Sequence, residues 1–224
     1  MTPDPLSFTV HTMPTPALPE AERRTRSGRL KMLLVLLICA APVIASYFTY
    51  FVIRPGAGTN YGTLITPPRP IHADLTMTGE DGVPVPAASL AGQWLLVVVG
   101  SGACDATCER RLVLQRQLYE TLGRDKARVE KVWFVVDGLA VRPEVMRGIS
   151  VEHGETPRVL RVPEARLAQW LQAEPGHALE DHVYIVDPMG NWMLRSPADI
   201  DPKRLRGDLD RLLRASSSWD RPGR

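Results

Sequence analysis

Residues 94–122 read WLLVVVGSGACDATCERRLVLQRQLYETL. The run Trp94–Val99 is apolar throughout, which predicts a strand buried on both faces. Gly100, Ser101 and Gly102 predict a turn. Leu112, Leu114, Leu118 and Leu122, set among Arg110, Arg111, Gln115, Arg116 and Gln117, predict an amphipathic helix ended by Gly123. Cys104 and Cys108 fall at the start of that helix. There the free N–H groups and the positive end of the dipole favour thiolates. Their spacing brings both sulfurs to one side, close enough to form a disulfide or to share one soft metal ion.

Working outward, Val129 to Asp137 reads as a second buried strand. Strand–helix–strand implies a parallel pair with a right-handed crossover. Upstream, Ala73 to Thr78 alternates, meets the turn Gly79-Glu80-Asp81-Gly82 and continues as Val83 to Val85, a hairpin. Downstream, Pro143 to Gly148 predicts a short helix, Arg158 to Val162 a strand or extended loop, and Glu164 to Gln172 a helix. His182 to Asp187 predicts a third core strand. Asp187-Pro188-Met189-Gly190 has type I turn chemistry, and Asn191 to Leu194 pairs back. Pro202, Leu205, Leu209, Leu212 and Leu213 mark a terminal amphipathic helix. The order predicts an α/β, thioredoxin-like sandwich with an N-terminal β-hairpin. Its site lies at the carboxyl end of the first core strand.

The chain has 224 residues and a net charge of +2. The excess lies in residues 1–31, in Arg23, Arg24, Arg26, Arg29 and Lys31; the rest is neutral, which argues against a nucleic-acid partner. Residues 32–53 carry no charge, and 22 residues of helix span about 33 Å, enough to cross a bilayer. Tyr47, Phe48, Tyr50 and Phe51 form an aromatic belt at the far end. The expected layout is a disordered cytoplasmic N-terminus at 1–31, a transmembrane helix at 32–53 and a Gly/Pro-rich linker at 54–70. A thioredoxin-like domain at 71–216 and a frayed tail at 217–224 follow. The positive-inside rule predicts a single pass through the cytoplasmic (inner) membrane, with the domain in the periplasm. Cys39 lies inside the apolar run and is read as inert, so one cysteine pair remains.

These residues resemble the Sco/SenC family, the membrane-anchored copper chaperones of cytochrome c oxidase assembly. The likeness covers roughly 71–214. It is carried by GEDGVPV at 79–85, SLAGQWLLVVVG at 89–100, Cys104-x3-Cys108, VWFVVDG at 132–138 and DHVYIVDPMGN at 181–191. It implies copper held by Cys104, Cys108 and a histidine, of which His182 is the candidate and His177 the runner-up. Asp181 would orient the His182 ring. The implied partner is the oxidase subunit carrying CuA, or another copper chaperone. The chain departs from the family pattern in three places. Asp105 and Glu109 follow the cysteines where prolines are typical. Gly138-Leu139-Ala140 replaces an arginine-aspartate pair, and His182 lies about three residues closer to the Asp187 turn. Asp137, at the end of the second strand, reads either as a group tuning the thiols or as a turn residue. Met77, Met189 and Met193 read as packing residues, and Trp94, Trp133, Trp170 and Trp192 as core. Two further readings stand beside the chaperone. One is a metal-free thiol–disulfide oxidoreductase, with Cys104 the more exposed, attacking thiol and Cys108 resolving. The other is a non-catalytic assembly scaffold whose site has decayed.

Overall fold

The computed structural model describes residues 21–53, 60–150 and 156–216. The expectations for 1–20, 54–59 and 217–224 lie outside them. The chain divides into two compact units, residues 1–57 and 58–224.

In the first unit, helix α1 (Ala21–Phe48) passes into a π-helical turn, Thr49–Ile53. It starts eleven residues before the apolar run expected at 32–53, because nothing in Ala21–Lys31 breaks a helix. Among the described residues it is the one helix long and apolar enough to cross a membrane, over Ser27–Phe51. Its large apolar side chains, Leu33 to Ile38 among them, are exposed.

The second unit is built on strands β1 (Thr63–Pro70), β2 (Thr76–Thr78), β3 (Pro84–Pro86), β4 (Trp94–Gly100), β5 (Val129–Val135), β6 (Arg158–Arg161), β7 (Val183–Val186) and β8 (Asn191–Arg195). They form one sheet in the order β1-β8-β7-β4-β5-β6-β2-β3. β4, β5 and β6 are parallel, while β7 runs antiparallel to β4 and β8 antiparallel to β7. The β2–β3 hairpin closes one edge, with Met77 opposite Val85.

β4 is buried at every position, and its alternation divides the core. Trp94, Leu96 and Val98 face a cluster shared with α2 (Ala106–Glu120), α3 (Pro143–Ile149) and α5 (Pro202–Ala215). Leu95, Val97 and Val99 face the opposite cluster, which includes the hairpin, Leu167 of α4 (Glu164–Leu167) and Trp170. Each fully buried branched side chain contributes about 1.5–3 kcal/mol. All four expected core tryptophans are buried.

Three further boundaries, in the second unit, differ from the sequence reading. The segment 63–70, assigned to a linker, is strand β1, paired antiparallel with β8. Its prolines are tolerated because β1 is a sheet edge, where N–H groups facing solvent need no partner. The chain is docked just before it: the buried Asp208 carboxylate of α5 accepts from Tyr61 N at 3.0 Å and Gly62 N at 2.7 Å. Helix α2 stops at Glu120, before Gly123, and Gly123 (φ +58°) opens a 3-10 turn. The helix expected over 164–172 is only Glu164–Leu167, because Trp170 and Leu171 turn into the core instead.

Candidate functional site

β4 delivers the chain to the site and α2 leads it away. Asp105 is the N-cap of α2, and its carboxylate accepts from Thr107 N at 3.0 Å and Cys108 N at 2.9 Å. Glu109 N is bonded to Asp105 O at 2.9 Å. Cys104 precedes the cap at φ +40°, the left-handed region a non-glycine residue rarely adopts. Cys104 and Cys108 are joined as a disulfide with a Cα–Cα distance of 5.2 Å.

Two glycines make this packing feasible. A side-chain carbon at Gly100 would lie 3.0 Å from Cys108 Sγ, and one at Gly102 would lie 2.2 Å from Leu139 O. Residues 137–142 therefore lie directly on the cysteine loop. Asp137 Oδ1 accepts from Gly102 N at 3.0 Å and Leu139 N at 3.2 Å. Burial acts to raise the Asp137 pKa, but hydrogen bonds from Ser101, Gly102 and Leu139 outweigh it and hold the carboxyl low. Arg161 of β6 donates to Leu139 O at 2.8 Å. Arg142 closes the cover by donating to Cys104 O and to the Glu109 carboxylate. Arg142 and Leu139 carry no motif, and only the paired glycines of GSG hint that something presses on this loop.

The cover corrects the expected exposure. Cys104 is fully buried and Cys108 is 7% exposed, so the residual access is at Cys108 rather than Cys104.

His182 is engaged by backbone groups. It is fully buried at the start of β7. Its Nε2 accepts from Glu174 N at 3.1 Å, so Nδ1 carries the proton and donates to Ser196 O at 2.8 Å. The ring lone pair a metal would need is occupied. Burial lowers the His182 pKa, which favours the same neutral form. His177 stacks edge-on against His182, with ring centroids 5.8 Å apart, and its Nδ1 lies 3.4 Å from Asp181 Oδ2. Asp181 thus pairs with His177 and, at 3.6 Å, with Arg111 rather than orienting His182. Among the described residues no three of His, Cys, Asp and Glu cluster as a metal site. A two-cysteine, one-histidine copper site built on His182 or His177 does not fit this arrangement. Met77 packs on the opposite face of the sheet, and Met189 is exposed.

The family described as transmembrane-like, thioredoxin-like, C-terminal domain matches residues 94–216, more than half of the chain. The chain belongs to this family. Its thioredoxin-like domain is similar in structure to Sco proteins. Apo Sco1 from Thermus thermophilus is 26% identical with a TM-score of 0.51, the match covering 70% of this chain and 99% of that one. A putative electron transfer protein from Aquifex aeolicus is 14% identical, TM-score 0.51, covering 67% and 98%. BsSco, a Sco-family cytochrome c oxidase assembly protein in which a disulfide switch was identified, is 17% identical, TM-score 0.50, covering 70% and 100%. The last two likenesses show the shared fold alone. No curated protein matches the sequence. The thioredoxin-like C-terminal domain thus carries its cysteines at the start of α2, while both ring nitrogens of His182 are engaged by backbone groups.

Proposed function

We propose that this chain is a membrane-anchored thiol–disulfide redox protein acting in cytochrome c oxidase assembly. The anchor is α1, with the N-terminus in the cytoplasm and the domain in the periplasm. The observation that carries the reading is the Cys104–Cys108 bond across the first turn of α2. A loop this short contributes little to stability, so redox exchange explains the pair better than a structural staple does. The dithiol form transfers two electrons and two protons to a target disulfide. One thiolate attacks, a mixed disulfide forms, and the second thiol displaces the target as a dithiol, leaving the Cys104–Cys108 bond. An external dithiol reverses the step. The likeness to Sco proteins points to the cysteines of the CuA-bearing oxidase subunit, or of another copper chaperone, as the target.

The reading is tested on the full chain in detergent, equilibrated with graded thiol–disulfide buffers and alkylated for mass spectrometry. The expected outcome is reversible exchange of Cys104 and Cys108, with a potential above the structural-disulfide range of about −300 mV. A bond that stays closed down to that potential overturns it.

A second reading, copper as cargo, is favoured by the two sulfurs lying within bonding distance of each other at the start of α2. Reduced, they offer Cu(I) two soft thiolates without His182. Cu(I) titration of the reduced chain tests it. One equivalent, lost in Cys108→Ser and kept in His182→Ala, supports cargo binding; no uptake rules it out.

A further inference from the structure

Trp133 is fully buried on β5, and its indole Nε1–H has no hydrogen-bond partner among the described residues. It lies against the same backbone position as the Cys108 sulfur: a side-chain carbon at Gly100 would lie 3.0 Å from Cys108 Sγ and 3.5 Å from Trp133 Nε1. Glycine at 100 keeps a side chain out of the space beside both atoms. A buried indole N–H ordinarily finds an acceptor, and a disulfide sulfur is a poor one. A thiolate is a charged acceptor, and charge-assisted hydrogen bonds are the strong ones. The backbone donors of Thr107 and Cys108 are taken by the Asp105 carboxylate.

We infer that Trp133 is a positioning residue for the reduced site: its indole N–H donates to the Cys108 thiolate and favours that form over the thiol. The inference rests on the redox reading above. In the exchange the Cys108 sulfur passes through a thiolate whether it attacks a target or leaves on reduction. Opening of the Cys104–Cys108 bond supplies the acceptor the indole lacks, so the reduced state gains an interaction that the oxidised state does not have.

The test compares Trp133→Phe with its parent, both in the full chain carrying Cys39→Ser so that only the site thiols titrate. Thiolate is followed by its ultraviolet absorbance, and the disulfide equilibrium by thiol buffers over a range of pH. In Trp133→Phe the thiolate fraction at a given pH below the thiol pKa is expected to fall about tenfold. At pH above the thiol pKa the reduction equilibrium constant falls by a similar factor, about 30 mV toward a more negative potential. Below the thiol pKa the two potentials converge, a pH dependence that mere loss of packing does not produce. Identical titrations and potentials overturn the inference and leave the redox reading intact. A parent that exchanges with no thiol buffer overturns both. If Trp133→Phe does not fold, the Trp133 indole N–H resonance of the parent decides. It is expected to move on reduction and to titrate with the thiol; a resonance indifferent to reduction overturns the inference.

Discussion

The backbone of Leu139 rests on Gly102 so closely that a carbon added at 102 would stand 2.2 Å from the Leu139 carbonyl oxygen. Backbone cannot yield as a flexible side chain does. Gly102→Ala is therefore expected to lift residues 137–142 from the cysteine loop. We expect a loss of roughly 1–3 kcal/mol in unfolding free energy and faster reduction of the disulfide by a small dithiol. Chemical denaturation and stopped-flow reduction check the two effects. An unchanged reduction rate would show that the cover does not limit access.

Asp105 places a carboxylate where a thiolate would otherwise find the helix N–H groups. Asp105→Ala removes the cap, at a cost of about 1 kcal/mol in stability. It also frees Thr107 N and Cys108 N and removes a neighbouring negative charge. The thiol pKa should fall and the potential should move to a less negative value, measured in the same thiol buffers.

His182 should behave as a structural histidine. His182→Ala leaves Glu174 N and Ser196 O without their partner and opens a cavity, for an expected loss of roughly 2–4 kcal/mol. The disulfide potential should stay within error of the parent.

The same residue sets a pH window. Burial lowers its folded-state pKa below the usual histidine value, so the unfolded chain binds the proton first. Stability from this group is complete above about pH 6.5 and falls as pH drops below it, by up to about 1.4 kcal/mol per unit until the folded pKa is reached. Asp137 and Asp181 are held low, Asp137 by hydrogen bonds that outweigh its burial and Asp181 chiefly by the Ala178 N–H. Their contribution is lost separately, below about pH 4. Denaturation curves for parent and His182→Ala across pH 4–7 check the first window, which should vanish in the variant.

Asp208→Ala should release the entry of the chain into the domain, because two backbone N–H groups lose a buried carboxylate. A loss of about 2–3 kcal/mol is expected. Amide hydrogen exchange should show faster exchange at Tyr61 and Gly62.

Much of this molecule is local in origin and was legible as such. The unbroken apolar run of β4, the leucine spacing of α2, the Asp187–Gly190 turn and the leucines of α5 each answer to a periodicity or a turn preference within a few residues. The placement of both sulfurs at the start of α2 follows from those elements alone. β1 was missed because prolines argue against a strand wherever both neighbours are unknown, and its partner β8 lies more than a hundred residues on.

From residue order alone came the thioredoxin-like domain, the apolar helix before it and the gathering of Cys104 and Cys108 on one side at the start of α2. Tertiary structure alone decided that the pair lies beneath residues 137–142, that the Trp133 N–H, unpartnered among the described residues, and the Cys108 sulfur both lie against Gly100, and that His182 serves the backbone of Glu174 and Ser196. The physical reason is that period and propensity act between near neighbours. Which atom occupies a lone pair, or shields a sulfur, depends on groups brought together only when the sheet closes.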